Sequence, residues 1–418
     1  MSIQELYKLY LQYSKVSTDS RKSISDSIFF ALKGKKFNGN KFAEQAINNG
    51  CVYAIVDEKK YAKNEKFILV DNVLVTLQEL AKQHRKQLKI PVIAITGTNG
   101  KTTSKELIGN VLKTKYKISN TKWNLNNHIG VPLSLLRIKK DDEIAIIEMG
   151  ANHIEEIGFL CKLAMPNLGI ITNIGKAHLE GFGSFQGVIK AKSELYNYIR
   201  ENGGNIFINM DDELLYKLSD GITKISYGKT GDCKGNVLKI SPFISILFRD
   251  ETINSNLIGD YQFNNIMLAI CVGNYFDIST KNIKDAIENY LPRNNRSQII
   301  KTNNNTLILD AYNANPSSMK AMLTSFAKLK YENKLCILGD MLELGKDSAL
   351  EHTRIFKLAE ELNLKTLFIG DEFSKLSINS YKNTKEFTKL IEKEPIQNKT
   401  ILLKGSRGVA LERLVAVL

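Results

Sequence analysis

Between Pro91 and Thr103 the chain reads PVIAITGTNGKTT, an apolar run that breaks into a short loop rich in glycine and threonine. Val92 to Ile95 suit a buried strand, and from Ser104 to Tyr116 the apolar residues at 107, 108, 111 and 112 form one stripe of a helix. A strand, a glycine loop and a helix in that order make a phosphate cradle. The backbone of Gly97, Thr98, Asn99, Gly100, Lys101, Thr102 and Thr103 closes around anionic oxygens at a helix N-terminus. Lys101 then reaches the β and γ phosphates of a nucleotide, and the Thr102 hydroxyl is a Mg²⁺ ligand. The spacing is two residues tighter than G-x-x-x-x-G-K-[ST], which would need glycine at Ile95.

Other candidates stand at the ends of apolar runs. EIAIIEM (143–149) carries Glu148, which either supplies a carboxylate to that Mg²⁺ or is a solvated strand-end charge. The run 168–174 carries Asn173, with His178 in GKAHLEGFG beyond it; by itself His178 is equally a loop histidine bonded to backbone. Lys192, in KAKSEL, reads alone as an exposed helix lysine with a glutamate neighbour. Near the N-terminus, Thr18-Asp19-Ser20-Arg21 reads alone as a capped turn with a surface ion pair. Three late strands run into DAYNANPS (310–317), GDMLELG (339–345) and KGSR (404–407), and three polar loops on one sheet edge indicate a functional face.

The elements that must position these residues follow a strand-then-helix rhythm, so the chain is predicted to be α/β. Its 418 residues suggest about three domains. Residues 1–88 form a small mixed α/β domain, closed by a polar helix over 78–88 that leads onward. Residues 89–296 form a nucleotide-binding domain with a mostly parallel sheet. Residues 297–418 form a Rossmann-like α/β domain in which no G-x-G-x-x-G follows any strand, so dinucleotide binding is unsupported. A hydrophobic fraction of 43% and a charged fraction of 24% describe a globular protein. Without a run of ~20 apolar residues or a signal-peptide pattern, the expectation is a cytoplasmic protein with no membrane span. The cysteines at 51, 161, 233, 271 and 336 form no C-x-x-C pair and read as buried thiols. The net charge of +14 is scattered, with no basic run interleaved with aromatics, so anionic small substrates account for it better than nucleic acid.

Together these segments resemble the Mur ligase family. The resemblance rests on TDSR and FFALKG in the first domain; on GTNGKTT, NLNNHIGVP, EMGANH, TNIGKAHLEGFGS and AKSEL in the second; and on DAYNANPSSM, LGDMLELG and KGSRG in the third. GTNGKT is shared with folylpolyglutamate synthase. YNANP points to the branch that joins D-alanyl-D-alanine to UDP-MurNAc-tripeptide, because ligases adding earlier residues typically carry histidine in place of Asn313 or Asn315. The DNPR motif of diaminopimelate ligases is absent. The resemblance implies an ATP-dependent acid–D-amino-acid ligase of peptidoglycan synthesis, working as a monomer; another amino-acid ligase of the same superfamily is the alternative.

It also implies roles. Lys101 and the loop hold phosphates, Thr102 and Glu148 one Mg²⁺, and His178 a second, with Lys192 carbamylated as a further ligand. Asn265 contacts adenine, Arg296 the terminal phosphate and Asp310 the ribose. Asp19, Ser20 and Arg21, with 29–34 nearby, bind the uridine-diphosphate end, and Asn313 and Asn315 face substrate. Two departures stand out: Tyr261-Gln262 where the family usually has His-Asn, and Ile154-Glu155-Glu156 where it usually has Pro-Gly-Glu.

Overall fold

A computed structural model describes residues 1–21 and 25–418. Among these, three larger sheets divide the chain into three α/β layers. The first is parallel throughout, with strands Val16–Ser17, Ser27–Phe30, Cys51–Val56 and Phe67–Leu69 side by side. The second places Val92–Thr96 between Leu168–Ile171 and Ile144–Glu148, all parallel, and extends through Asn205–Asn209 to an antiparallel edge at Ser245–Phe248 and Glu251–Asn254. The third pairs Asn305–Asp310 with Lys399–Lys404 and then Lys334–Gly339 in parallel, and carries one antiparallel edge strand, Gln298–Lys301.

Every residue of Val92–Thr96 is buried, as a strand covered on both faces requires. The helix after it, Lys101–Leu112, buries Leu107, Ile108, Val111 and Leu112 completely, the stripe its sequence spells out. Pairing Ile95 with Glu148 and Thr96 with Ile171 brings three strand ends together, so the loops that follow share one edge of the sheet.

The helix predicted over 78–88 starts earlier and spans Val73–Gln87, with Asn72 capping the Val75 N–H. It is more than a connection. Leu77, Leu80 and Ala81 pack with Leu6 and Tyr10 of the first domain and with Val131 and Leu135 of the second. Arg85, at its end, donates to the carbonyls of Ala164 and Met165 at 2.8 and 2.9 Å and so rivets the first domain to the second. All five cysteines are free and buried. Among the described residues no helix is long and apolar enough to cross a membrane.

Candidate active site

A cleft of about 830 Å³ opens where the second and third layers meet, and the glycine loop forms its floor. Gly97 and Gly100 have φ of +138° and +80°, the left-handed half of backbone space that glycine enters freely. Space also demands them: a Cβ on Gly97 would lie 2.1 Å from Thr172 Oγ1, and one on Gly100 2.6 Å from Asn265 Oδ1. The loop is braced by the neighbouring strand end. Asn173 accepts from the Asn99 N–H at 3.0 Å and donates to its carbonyl at 3.0 Å, while the Thr98 hydroxyl donates to the Gly175 carbonyl at 3.1 Å. Among the described residues no side chain caps the helix that begins at Lys101, so its first N–H groups remain available to an anion.

Lys101 curls back to the carbonyls of Gly97 and Thr98, at 2.7 and 3.1 Å. Burial pushes its pKa down to about 8, and Arg296 nearby acts in the same direction. Glu148 is 2% exposed. Thr102 Oγ1 donates to it at 3.0 Å, Asn126 at 2.9 Å, and Lys105 Nζ lies 3.3 Å away. Burial works to raise the Glu148 pKa, but Lys105, Lys101 and Arg296 outweigh it and hold the carboxyl below its ordinary value. Of the two readings open for Glu148, the solvated surface charge is excluded.

Lys192 is likewise buried, at 2% exposure, and is no surface lysine. Among the described residues its ammonium makes no ion pair and sits 5.4 Å from the centroid of the Phe182 ring. Burial, with Lys101 adding to it, pushes its pKa down to about 7. His178 stands edge-on to the same ring at 6.3 Å, and its Nδ1 is paired with the Glu343 carboxylate. Burial lowers its pKa against the pull of Glu343. Arg296 lays its guanidinium 3.9 Å over the Tyr312 ring, and its buried Nε has no hydrogen-bond partner among the described residues. A buried donor left open in the cleft that also holds Lys101 and Lys192 is suited to an incoming anion.

The remaining predicted residues divide. Asn265 lines the cleft behind Gly100, accepts from Ser104 Oγ at 2.9 Å and donates to Gln262 at 2.7 Å. Asp310 accepts from Lys404 Nζ at 2.6 Å and from the Ser297 N–H at 3.1 Å. Asn313 is exposed on the rim, whereas Asn315 is buried, caps the helix Pro316–Lys328 and donates 2.8 Å to the Asn99 side chain. Asp19, Ser20 and Arg21 do not line this cleft. They lie in the first layer, where Arg21 Nε meets Asp19 at 2.9 Å and Ser20 Oγ donates to Gln45 at 3.2 Å. Tyr261 closes the cleft toward the third layer through Ser297, 3.2 Å from its hydroxyl.

Several residues went unselected in the sequence. Lys105 stands one helical turn beyond Lys101 and thus on the same face, which is a usable signal. Asn126 and Glu343 lie inside segments singled out as motifs, without a cue to the individual residue. Lys176, bonded to Glu351 across the layers at 2.9 Å, also lies inside a quoted motif without a cue of its own, and Glu351 lies in none.

The donor set bears on metal binding. Among the described residues no three histidine, cysteine or acidic side chains form a cage. A hydroxyl and a buried carboxylate in contact, Thr102 and Glu148, beside a phosphate loop fit Mg²⁺, which takes few protein ligands and completes its shell with phosphate and water.

Three family models match the chain: the catalytic domain of the Mur ligase family over residues 12–93, the Mur ligase middle domain over 95–273, and the Mur ligase glutamate ligase domain over 295–407. The UDP-N-acetylmuramoyl-tripeptide–D-alanyl-D-alanine ligase of Bacillus subtilis is 34% identical, covering 96% of this chain and 92% of its own. That of Escherichia coli is 30% identical over 99% of this chain and 95% of its own. Among solved structures, MurF of Acinetobacter baumannii superposes with a TM-score of 0.86 at 30% identity, covering 96% of this chain and 92% of that one. MurF of Thermotoga maritima, solved in complex with ADP, gives 0.84 at 25% identity over 97% of each chain.

Proposed function

The chain belongs to the Mur ligase family, and on that premise we infer that it is the ATP-dependent ligase joining D-alanyl-D-alanine to UDP-MurNAc-tripeptide in peptidoglycan synthesis. The observation that carries this reading is likeness to such ligases over nearly the whole chain, with a cleft whose floor is built for the phosphates of a nucleotide.

A carboxylate does not react with an amine at neutral pH, because its oxygen is a poor leaving group. ATP supplies a better one. A carboxylate oxygen of the tripeptide attacks the γ phosphorus, the bond to the bridging oxygen breaks, and ADP departs from an acyl phosphate. The amine of D-alanyl-D-alanine then attacks the acyl carbon, loses its proton, and expels phosphate. Most of the assistance is electrostatic, since the reacting partners are anions. Lys101 and the loop N–H groups hold the phosphates, and Arg296, with its open Nε, receives the terminal one. Asn265 and Tyr261 border the adenine and Asp310 the ribose. Asn313 faces the substrate at the rim, and Asp19, Ser20 and Arg21 bind the uridine-diphosphate end.

Thr102 and Glu148 would hold one Mg²⁺, and His178 a second together with Lys192 as its carbamate; such ions supply charge neutralisation to the triphosphate. The depressed pKa of Lys192 supports the carbamate, because the neutral amine is the form that takes up CO₂. We assign residues 1–88, 89–296 and 297–418 to the uridine-substrate, ATP-binding and C-terminal ligase domains. We place the protein in the cytoplasm as a monomer.

A substrate panel tests the assignment. ATP and UDP-MurNAc-tripeptide are incubated with D-alanyl-D-alanine or with single amino acids, and the product is identified by mass. The dipeptide adduct is expected; turnover with single amino acids alone overturns it.

A further inference from the structure

His178 and Glu343 come from different layers of the molecule and meet at the edge of the cleft. Both are non-glycine residues in the left-handed region, with φ of +50° and +64°. Such backbone is uncommon for residues with side chains and persists where surrounding structure fixes it. The two turns are held together by more than the side chains. The Glu180 N–H donates to the Glu343 carbonyl at 3.3 Å, and Gly345, two residues on, packs against Glu180. Beside them Lys176 pairs with Glu351 at 2.9 Å. Segment 175–180 is thus one strip on which the C-terminal layer docks.

The pairing has a chemical consequence for the imidazole. With Nδ1–H donating to the Glu343 carboxylate, the proton of a neutral ring resides on Nδ1 and the lone pair on Nε2. The Phe182 ring, edge-on at 6.3 Å, limits rotation from another side. Carboxylates bonded in this way to a metal-binding histidine fix its tautomer and orientation.

We propose that Glu343 is a positioning residue: docking of the C-terminal layer delivers its carboxylate to His178 and presents Nε2 as ligand to the second divalent ion. This rests on the reading of His178 as a ligand of that ion. The consequence is that the second ion binds tightly only in the docked molecule.

Bound Mn²⁺ is counted by electron paramagnetic resonance on the full chain with UDP-MurNAc-tripeptide and a non-hydrolysable ATP analogue. Wild type is expected to bind two ions and His178→Ala one. Glu343→Ala should weaken the second ion tenfold or more and leave the first unchanged. Glu343→Gln, which keeps an acceptor for Nδ1–H and conserves size should the alanine variant misfold, should fall between alanine and wild type. If Glu343→Ala or a folded Glu343→Gln keeps the second ion at wild-type affinity while His178→Ala loses it, the positioning role is wrong and the ligand reading stands. If wild type holds a single ion, or His178→Ala keeps both, the ligand reading fails and the positioning role with it.

Discussion

A lysine buried at 2% exposure, with no ion pair among the described residues, is costly while charged, and burial pushes the Lys192 pKa down to about 7. Roughly a thousandfold more of it is neutral at pH 7 than of an ordinary lysine. That is the form a carbamate requires. Lys192→Ala should therefore reduce kcat by about a hundredfold and regain part of it with added formate or acetate; a loss that no short carboxylate restores would deny the carbamate. Stability follows the same titration. In CO₂-free buffer the unfolded chain binds a proton at Lys192 up to its ordinary value of 10.5, whereas the folded chain releases it near 7. The unfolded state holds more protons across that window, so stability rises with pH from about 7 toward 10.5. Lys101, released near 8, adds to the slope. Lys192→Met should flatten the profile and stabilise the chain at pH 7 by about 1–4 kcal/mol. Urea midpoints at pH 7 and 10 measure this, and parallel profiles for variant and wild type would reject it. At this scale Lys101, Thr102 and Glu148 were legible because strand, loop and register are local. The burial of Lys192 was not, since a lysine within a helix with a glutamate neighbour gives no sign of its surroundings until Phe182 is folded against it.

Glu155 shows what an element asks of one residue. It precedes the helix Glu156–Ala164 with φ of +74°, where the family usually places glycine. Its N–H donates to Glu194 Oε1 at 2.6 Å, so the left-handed turn is fixed by a bond that does not involve its own side chain. The extra carboxylate is tolerated at a cost of roughly 1 kcal/mol in backbone strain. Glu155→Gly should raise stability by no more than about 0.5 kcal/mol, the greater freedom of unfolded glycine offsetting much of the relief. Glu155→Val should lower it, and thermal unfolding of both variants decides the matter. The strands are readable from their apolar runs: the run Val92 to Ile95 and the run 143–149 match Val92–Thr96 and Ile144–Glu148 to within one residue at each end. The helix Val73–Gln87 was cut short at its start because Val73, Leu74 and Val75 resemble a strand; the Asn72 cap settles the boundary.

In the whole molecule one continuous core joins all three layers, with Leu77, Val131 and Phe326 in the same cluster, so the cleft is bounded by packed walls. The contacts across it depend on docking, which no local pattern records; this is why Lys176, Glu343 and Glu351 were silent in the sequence although the motifs around the first two were visible. Asn315 is the sharpest case. Its Oδ1 accepts from the Ser318 N–H at 2.9 Å to cap one helix, and its Nδ2 donates 2.8 Å to Asn99 of the phosphate loop. The two bonds separate by substitution. Asn315→Asp keeps an oxygen for the cap but replaces the amide donor with a carboxylate beside the loop that holds the phosphates. Its melting temperature should stay within a few degrees of wild type, while kcat/KM for ATP falls at least tenfold from lost docking and like-charge repulsion. Asn315→Ala loses cap and bridge together and should cost about 1 kcal/mol of stability as well as activity. An Asn315→Asp protein with wild-type ATP kinetics would reduce Asn315 to a helix cap. A low kcat/KM with an undisturbed melting temperature would show that Asn315 serves the phosphate loop in addition to capping its helix.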